Sequence, residues 1–197
     1  MPYSYKNRRG KVHYFRSAET KRGNLRYYVT TSDNYPNLIE NVPYGYEVAE
    51  LPEDARVVIR KKKPIWITQE EKELVHDAIE EFSAFNDFFI HTEEEYIYVY
   101  HSQFNYVGGQ EPSLNRAEAM ECFGETIERW MRFLTALRFK LTNKEKRLFR
   151  AERVVFTGLY DHDFHPIGKV GKIEDLARDF GKHLGRESFF KIEPRFD

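Results

Sequence analysis

The sequence predicts an α+β fold of mostly antiparallel sheet with about three helices. Three observations point there. Runs rich in aromatic and β-branched residues recur in pairs joined by turn residues, as in hairpins. Apolar residues at helical spacing form separate blocks instead of following each strand, which argues against regular βαβ alternation. Aromatic residues make up 16% of the 197-residue chain, with 16 Phe and 13 Tyr, so rings must build much of the core.

The first hairpin is expected from residues 11–17 and 24–31. Gly23, in the intervening 18–23 turn, can supply a positive φ. Val12, Tyr14 and Arg16 fall on one face of the first strand, His13 and Phe15 on the other. On the second strand, Leu25, Tyr27 and Val29 oppose Arg26, Tyr28 and Thr30. Neither face is cleanly apolar, so either both are partly covered or one is a contact surface. Residues 32–45, with Pro36, Pro43 and Gly45, read as a loop. Short strands at 46–50 and 56–60, joined through Pro52-Glu53-Asp54, would complete a sheet of about four strands. Lys61-Lys62-Lys63 extends the last strand and Pro64 stops it. The expected organisation is a small basic, aromatic β module over 1–64 and a larger α+β body over 65–197, two parts that could also form one compact domain.

Thr68-Gln69-Glu70-Glu71 is a capping box. The helix after it runs to Phe82, with Leu74, Val75, Ala78, Ile79 and Phe82 on one face and acidic residues on the others. A second hairpin follows, Phe88 to His91 and Tyr96 to Tyr100, with Glu93, Glu94 and Glu95 at its tip. Residues 107–112 read as a loop. A second helix over 116–133 would be capped by Asn115 and carry an apolar stripe of Met120, Phe123, Ile127, Trp130, Met131 and Leu134. Gly124 weakens it by about 1 kcal/mol against Ala. Residues 136–142 alternate as a half-buried strand, with Leu137, Phe139 and Leu141 inward. A longer strand spans Leu148 to Thr157, and Pro166 to Val170 would pair with it. A third helix runs from Ile173 to Leu184 and stops at Gly185. Ser188 to Ile192 would be a closing strand.

Composition bounds the function. With 41% hydrophobic and 32% charged residues the chain can bury a core. The single cysteine, Cys122, excludes an intrachain disulfide and fits a reducing compartment. It reads as a small core residue on the second helix. No apolar run approaches a bilayer span. The N-terminus carries no secretory signal pattern, so a cytoplasmic location is expected.

The net charge of −1 conceals segregation. Residues 1–67 hold 13 Lys/Arg against 7 Asp/Glu, residues 68–128 hold 2 against 15, and residues 129–197 hold 16 against 10. Either the basic ends meet an anionic partner, or the acidic middle neutralises them within the fold or across a homodimer. The contrast is sharpest in residues 1–31. There Lys6, Arg8, Arg9, Lys11, Arg16, Lys21, Arg22 and Arg26 face Glu19 alone. Such cations would neutralise phosphates, and Tyr14, Phe15, Tyr27 and Tyr28 would stack on unpaired bases wherever they face outward.

Catalytic signals are sparse. His162, Asp163 and His165, in a segment read as a polar loop, are the one local set able to hold a divalent metal. Otherwise no cofactor is evident. Gly108-Gly109 lacks the pattern of a phosphate-cradling loop, and no serine sits in a nucleophile elbow. Glu152 with Arg153 reads as a surface pair, and His13, His91 and His101 as single strand histidines.

Several stretches carry a resemblance. They are Arg9-Gly10-Lys11 running into Tyr14-Phe15, then Thr20, Lys21, Gly23 and Tyr27-Tyr28; Pro43-Tyr44-Gly45-Tyr46-Glu47-Val48; and His183-Leu184-Gly185-Arg186-Glu187-Ser188-Phe189-Phe190. Together, and more loosely with Leu137 to Gly158, they resemble a family of uncharacterised bacterial proteins. The resemblance implies a bacterial-type soluble protein and no particular chemistry. The spacing of Gly10, Lys11 and Tyr14 is also similar to the opening of a WW domain, but the two tryptophans, Trp66 and Trp130, lie elsewhere.

The sequence therefore favours a non-catalytic binding protein. Its basic hairpin would contact nucleic acid or an acidic protein surface. The alternatives are a metal-assisted phosphodiester hydrolase using the 161–165 segment, and a structural or assembly protein.

Overall fold

A computed structural model describes residues 1–105, 116–124, 126–156 and 162–193. The fold is α+β with antiparallel sheets. The chain divides into two compact units: residues 1–62 with 120–132, and residues 63–119 with 133–197.

In the first unit, β1 (Ser4–Lys6), β2 (Val12–Glu19) and β3 (Leu25–Thr30) form a three-stranded sheet in that order. β4 (Tyr46–Glu50) and β5 (Val57–Lys61) form a separate hairpin. The expected single sheet of four strands is thus five strands in two sheets. β1 is too short for a period-2 pattern to show. The 32–45 loop is also anchored along β2. Leu38 bridges Arg16, and the Ile39 N–H donates to the Phe15 carbonyl at 2.8 Å.

In the second unit, five strands lie in the order β10-β9-β8-β7-β6, all antiparallel: β6 (Phe88–Glu93), β7 (Tyr96–Ser102), β8 (Phe133–Asn143), β9 (Leu148–Phe156) and β10 (His162–Gly171). Ile90, Ile97, Val99, Leu137, Phe139, Leu141, Phe149, Ala151 and Ile167 line one face. That face packs with α1 (Gln69–Phe82) and α4 (Ile173–Gly181), which contribute Val75, Ile79, Leu176, Ala177 and Phe180. The α1 capping box forms as expected: the Glu71 N–H donates to Thr68 Oγ1 and the Thr68 N–H to the Glu71 carboxylate. Glu71 also receives both Nε and Nη2 of Arg147, whose Nη2 donates to the Trp66 carbonyl.

Several expectations are corrected. The 116–133 helix is two short helices, α2 (Arg116–Phe123) and α3 (Thr126–Trp130). Gly124, with φ +58°, ends the first. Its N–H reaches the Met120 carbonyl and its carbonyl accepts from Ile127. The apolar stripe is therefore not continuous: Phe123 is exposed, and Leu134 is exposed on β8. Cys122 is exposed, not a core residue, because the shortened helix does not bury that side. On α1, Leu74 is exposed while Val75 and Ile79 are fully buried. The closing strand over 188–192 is a 3₁₀ turn, Glu187–Phe189. Successive i→i+3 bonds from Phe189, Phe190 and Ile192 satisfy the backbone locally, so no partner strand is needed. The expected loop at 107–112 and the Asn115 cap lie outside the described residues.

Candidate nucleic-acid interface

Register in the three-stranded sheet sorts its residues into two faces. Directly opposed residues of antiparallel strands share a face. Ser4 opposes Tyr14 and Lys6 opposes Val12. Tyr14 opposes Thr30, Arg16 opposes Tyr28, and Ala18 opposes Arg26. One face therefore carries Lys6, Val12, Tyr14, Arg16, Arg26 and Tyr28. The other carries Tyr5, His13, Phe15, Tyr27 and Val29.

The second face is structural. Phe15 is fully buried and meets Tyr3 at 5.5 Å between ring centroids. Tyr27 packs edge-on against Tyr46 at 4.8 Å. Tyr5 Oη donates to Glu50 Oε2 at 3.3 Å, and burial followed by the Glu50 carboxylate pushes the Tyr5 phenol up. His13 is 9% exposed, and neither ring nitrogen has a hydrogen-bond partner among the described residues. Burial, helped by the charge of Lys11, holds its pKa below the ordinary value, and Glu50 opposes that shift. Phe15 and Tyr27, candidates for base stacking in the sequence, are thus committed to packing.

The first face is basic, aromatic and open. Val12 is 38% exposed, Tyr28 39% and Tyr35 49%. The Arg16 guanidinium lies 5.0 Å from the Tyr28 ring centroid and 5.2 Å from that of Tyr35. Cation–π attraction to both rings fixes the charge among them. Tyr35 is the residue that sequence reasoning missed. It sits in a segment with no periodic pattern, and only the anchoring of residues 37–39 along β2 brings it here.

The basic residues divide into two groups. Arg8 is engaged inside the unit. Its Nη1 pairs with Glu50 Oε1 at 3.2 Å, and its guanidinium donates to the carbonyls of Leu51, Pro52 and Met131. Its backbone N–H also donates to Glu50. Arg9 is half-buried and engaged by its surroundings. By contrast, among the described residues no carboxylate pairs with Lys6, Lys11, Arg16, Lys21, Arg22 or Arg26. Several acids of the unit are occupied: Glu40 with the N-terminus, Glu47 with Arg60, Glu50 with Arg8, and Asp54 with Arg56, while Glu19 stands exposed at the end of β2. Lys6, Arg16 and Arg26 lie on the open face, Lys21 and Arg22 at the hairpin tip.

The candidate metal set falls differently from its expected loop. Residues from His162 onward belong to β10, paired to β9 from His162↔Phe156 through Ile167↔Ala151. Val154 and Val155 supply β-branched partners across the ladder, so the polar segment is held extended. Asp163 and His165 share a face, opposite Val155 and Arg153, and Asp163 is exposed. The His162 side chain lies outside the described residues. Elsewhere, His76, Asp77 and Glu80 on α1 bring ligand atoms within 4.8 Å of one another, all at the surface.

The Glu152–Arg153 pair does not form. Glu152, 7% exposed, accepts from Arg138 Nε at 2.6 Å. That guanidinium stacks 3.9 Å from the Phe164 ring and 4.4 Å from Tyr96. Strand alternation puts Arg153 on the opposite side. His101 is buried against Phe85, and Nδ1 lies 2.9 Å from the Ser102 carbonyl; burial lowers its pKa. Its ring is a packing element.

No family model matches the chain. No curated protein and no solved structure matches it either. No helix among the described residues is long and apolar enough to cross a membrane.

Proposed function

We propose that the protein is a non-catalytic nucleic-acid-binding protein, and that the open face of the β1–β2–β3 sheet with the β2–β3 tip is its contact surface. One observation carries the reading: among the described residues the five cations there, Lys6, Arg16, Lys21, Arg22 and Arg26, have no carboxylate partner, while Glu40, Glu47, Glu50 and Asp54 are paired with other groups. Unpaired, solvated cations release little on meeting a phosphate and gain the entropy of displaced counterions. The aromatic residues among them offer flat apolar contact that a merely solvated surface does not need.

The test is fluorescence anisotropy of labelled DNA and RNA titrated with the protein at low and moderate salt. The comparison variant changes Lys6, Lys21, Arg22 and Arg26 to Ala. Arg8 is left intact because it anchors the unit. Binding should weaken linearly on a log–log plot against salt. The variant should bind at least tenfold more weakly with a shallower slope, each lost phosphate contact removing about 0.7–0.9 from it. Absence of binding at low salt would refute the proposal.

A further inference from the structure

We infer that the open sheet face takes single-stranded nucleic acid, with bases stacked on Tyr28 and Tyr35 and the backbone led along the cations beside them; this rests on the reading above. The geometry favours a single strand over a duplex. On this face β1 pairs β2 over residues 12–14 and β3 pairs it over 14–19, with neighbouring strands about 4.8 Å apart and same-face neighbours about 6.8 Å apart along each strand. The β2–β3 tip is a two-stranded ribbon, but the exposed rings lie back from it, at the level of Arg16 on the sheet face. The face thus presents ring surface. Tyr28 and Tyr35 are 39% and 49% exposed, and both lie against the same guanidinium. Duplex bases are already stacked and cannot use such a surface, whereas unpaired bases can.

Arg16 has a particular part in this arrangement. Its guanidinium sits against both rings and pairs with no carboxylate among the described residues. It therefore keeps a planar cation, with free N–H donors, where a phosphate linking two stacked nucleotides would pass. Lys6 extends the positive track across β1 and Arg26 along β3 toward the tip, where Lys21 and Arg22 continue it. Tyr14, half-buried and opposite Thr30, borders the same track. Charge places the backbone and the rings place the bases, so the site discriminates strandedness more than sequence.

The experiment compares one labelled oligonucleotide in three forms: single-stranded, annealed to its complement, and abasic at every internal position. Each is titrated by anisotropy against the wild-type protein and the Tyr28→Ala, Tyr35→Ala, Tyr28→Phe and Arg16→Lys variants. Circular dichroism confirms that each variant is folded. The inference expects the intact single strand to bind at least tenfold tighter than either the duplex or the abasic strand. It expects each Tyr→Ala change to cost about tenfold on the intact strand and almost nothing on the abasic one. Tyr28→Phe keeps the ring and should bind like wild type. Arg16→Lys keeps the charge but loses the planar stack, and should weaken single-strand binding several-fold. Equal affinity for all three forms, unchanged by Tyr28→Ala, would overturn the inference while leaving the basic face as a nonspecific nucleic-acid surface. No binding to any form would overturn both and point to an acidic protein as the partner.

Discussion

His13 is buried with two ring nitrogens that no group among the described residues satisfies, and this gives the first unit a definite response to acid. Its folded pKa lies below the ordinary value of about 6.5, so the unfolded chain binds the proton more readily. The stability tied to neutral His13 is complete above that value and is lost as pH falls through the depressed folded pKa. His101 and His183 are depressed for the same leading reason, burial, and act in the same direction. Urea unfolding of the wild type should show the midpoint falling from pH 7 to pH 5. His13→Leu should flatten that dependence, leaving only the histidines of the second unit. A variant as acid-sensitive as the wild type would refute the assignment. Glu71 is the corresponding residue of the second unit. It completes the α1 cap and takes Arg147, which in turn holds the Trp66 carbonyl. Glu71→Ala should cost about 1–2 kcal/mol in equilibrium unfolding, combining a lost cap with the loss of a bidentate contact to the one-third-exposed Arg147. Sequence reasoning found the cap because Thr68 and Glu71 are neighbours along the chain. It could not find Arg147, which becomes a partner only through the fold. Arg8 escaped for the same reason: along the sequence it looks like one of a run of free cations.

At the scale of elements, long periodic segments were legible and irregular ones were not. α1 begins and ends where its cap and apolar spacing place it, and β8 buries the alternating residues Leu137, Phe139 and Leu141. The failures share a cause. β1, the split at Gly124 and the 3₁₀ turn at 187–189 are short, and their backbone choices are made by local hydrogen bonds that leave no hydrophobic period. β10 shows how tertiary context decides such cases. Its bulge between Ile167 and Gly171 includes Gly168 at φ +68°, where an added Cβ would lie 2.5 Å from the Phe180 ring. Glycine is needed both for the angle and for the approach of α4. Gly168→Ala should therefore destabilise by about 2–4 kcal/mol, read as a fall in Tm, from left-handed strain and overpacking together. Gly23, at φ +77° with nothing nearby, should tolerate alanine better, at a cost near 1 kcal/mol from strain alone.

Across the whole molecule, burial is unevenly shared. Among the described residues of the first unit, Phe15, Ala55 and Val57 are the apolar side chains less than 5% exposed, whereas the second unit has a continuous core under α1 and α4. Hydrogen exchange should accordingly be slowest in β7, β8 and β9 and faster in β2 and β3. Equal protection of the two sheets would contradict this ranking. The first unit is also discontinuous: residues 120–132 belong with residues 1–62, and the Met131 carbonyl accepts from Arg8. During synthesis, the amino-terminal strands emerge long before the segment that completes their unit. They must wait for more than half the chain, including all of the second unit's first stretch, to leave the ribosome. A nascent chain arrested before residue 120 would hold its basic hairpin in a unit that still lacks its last segment.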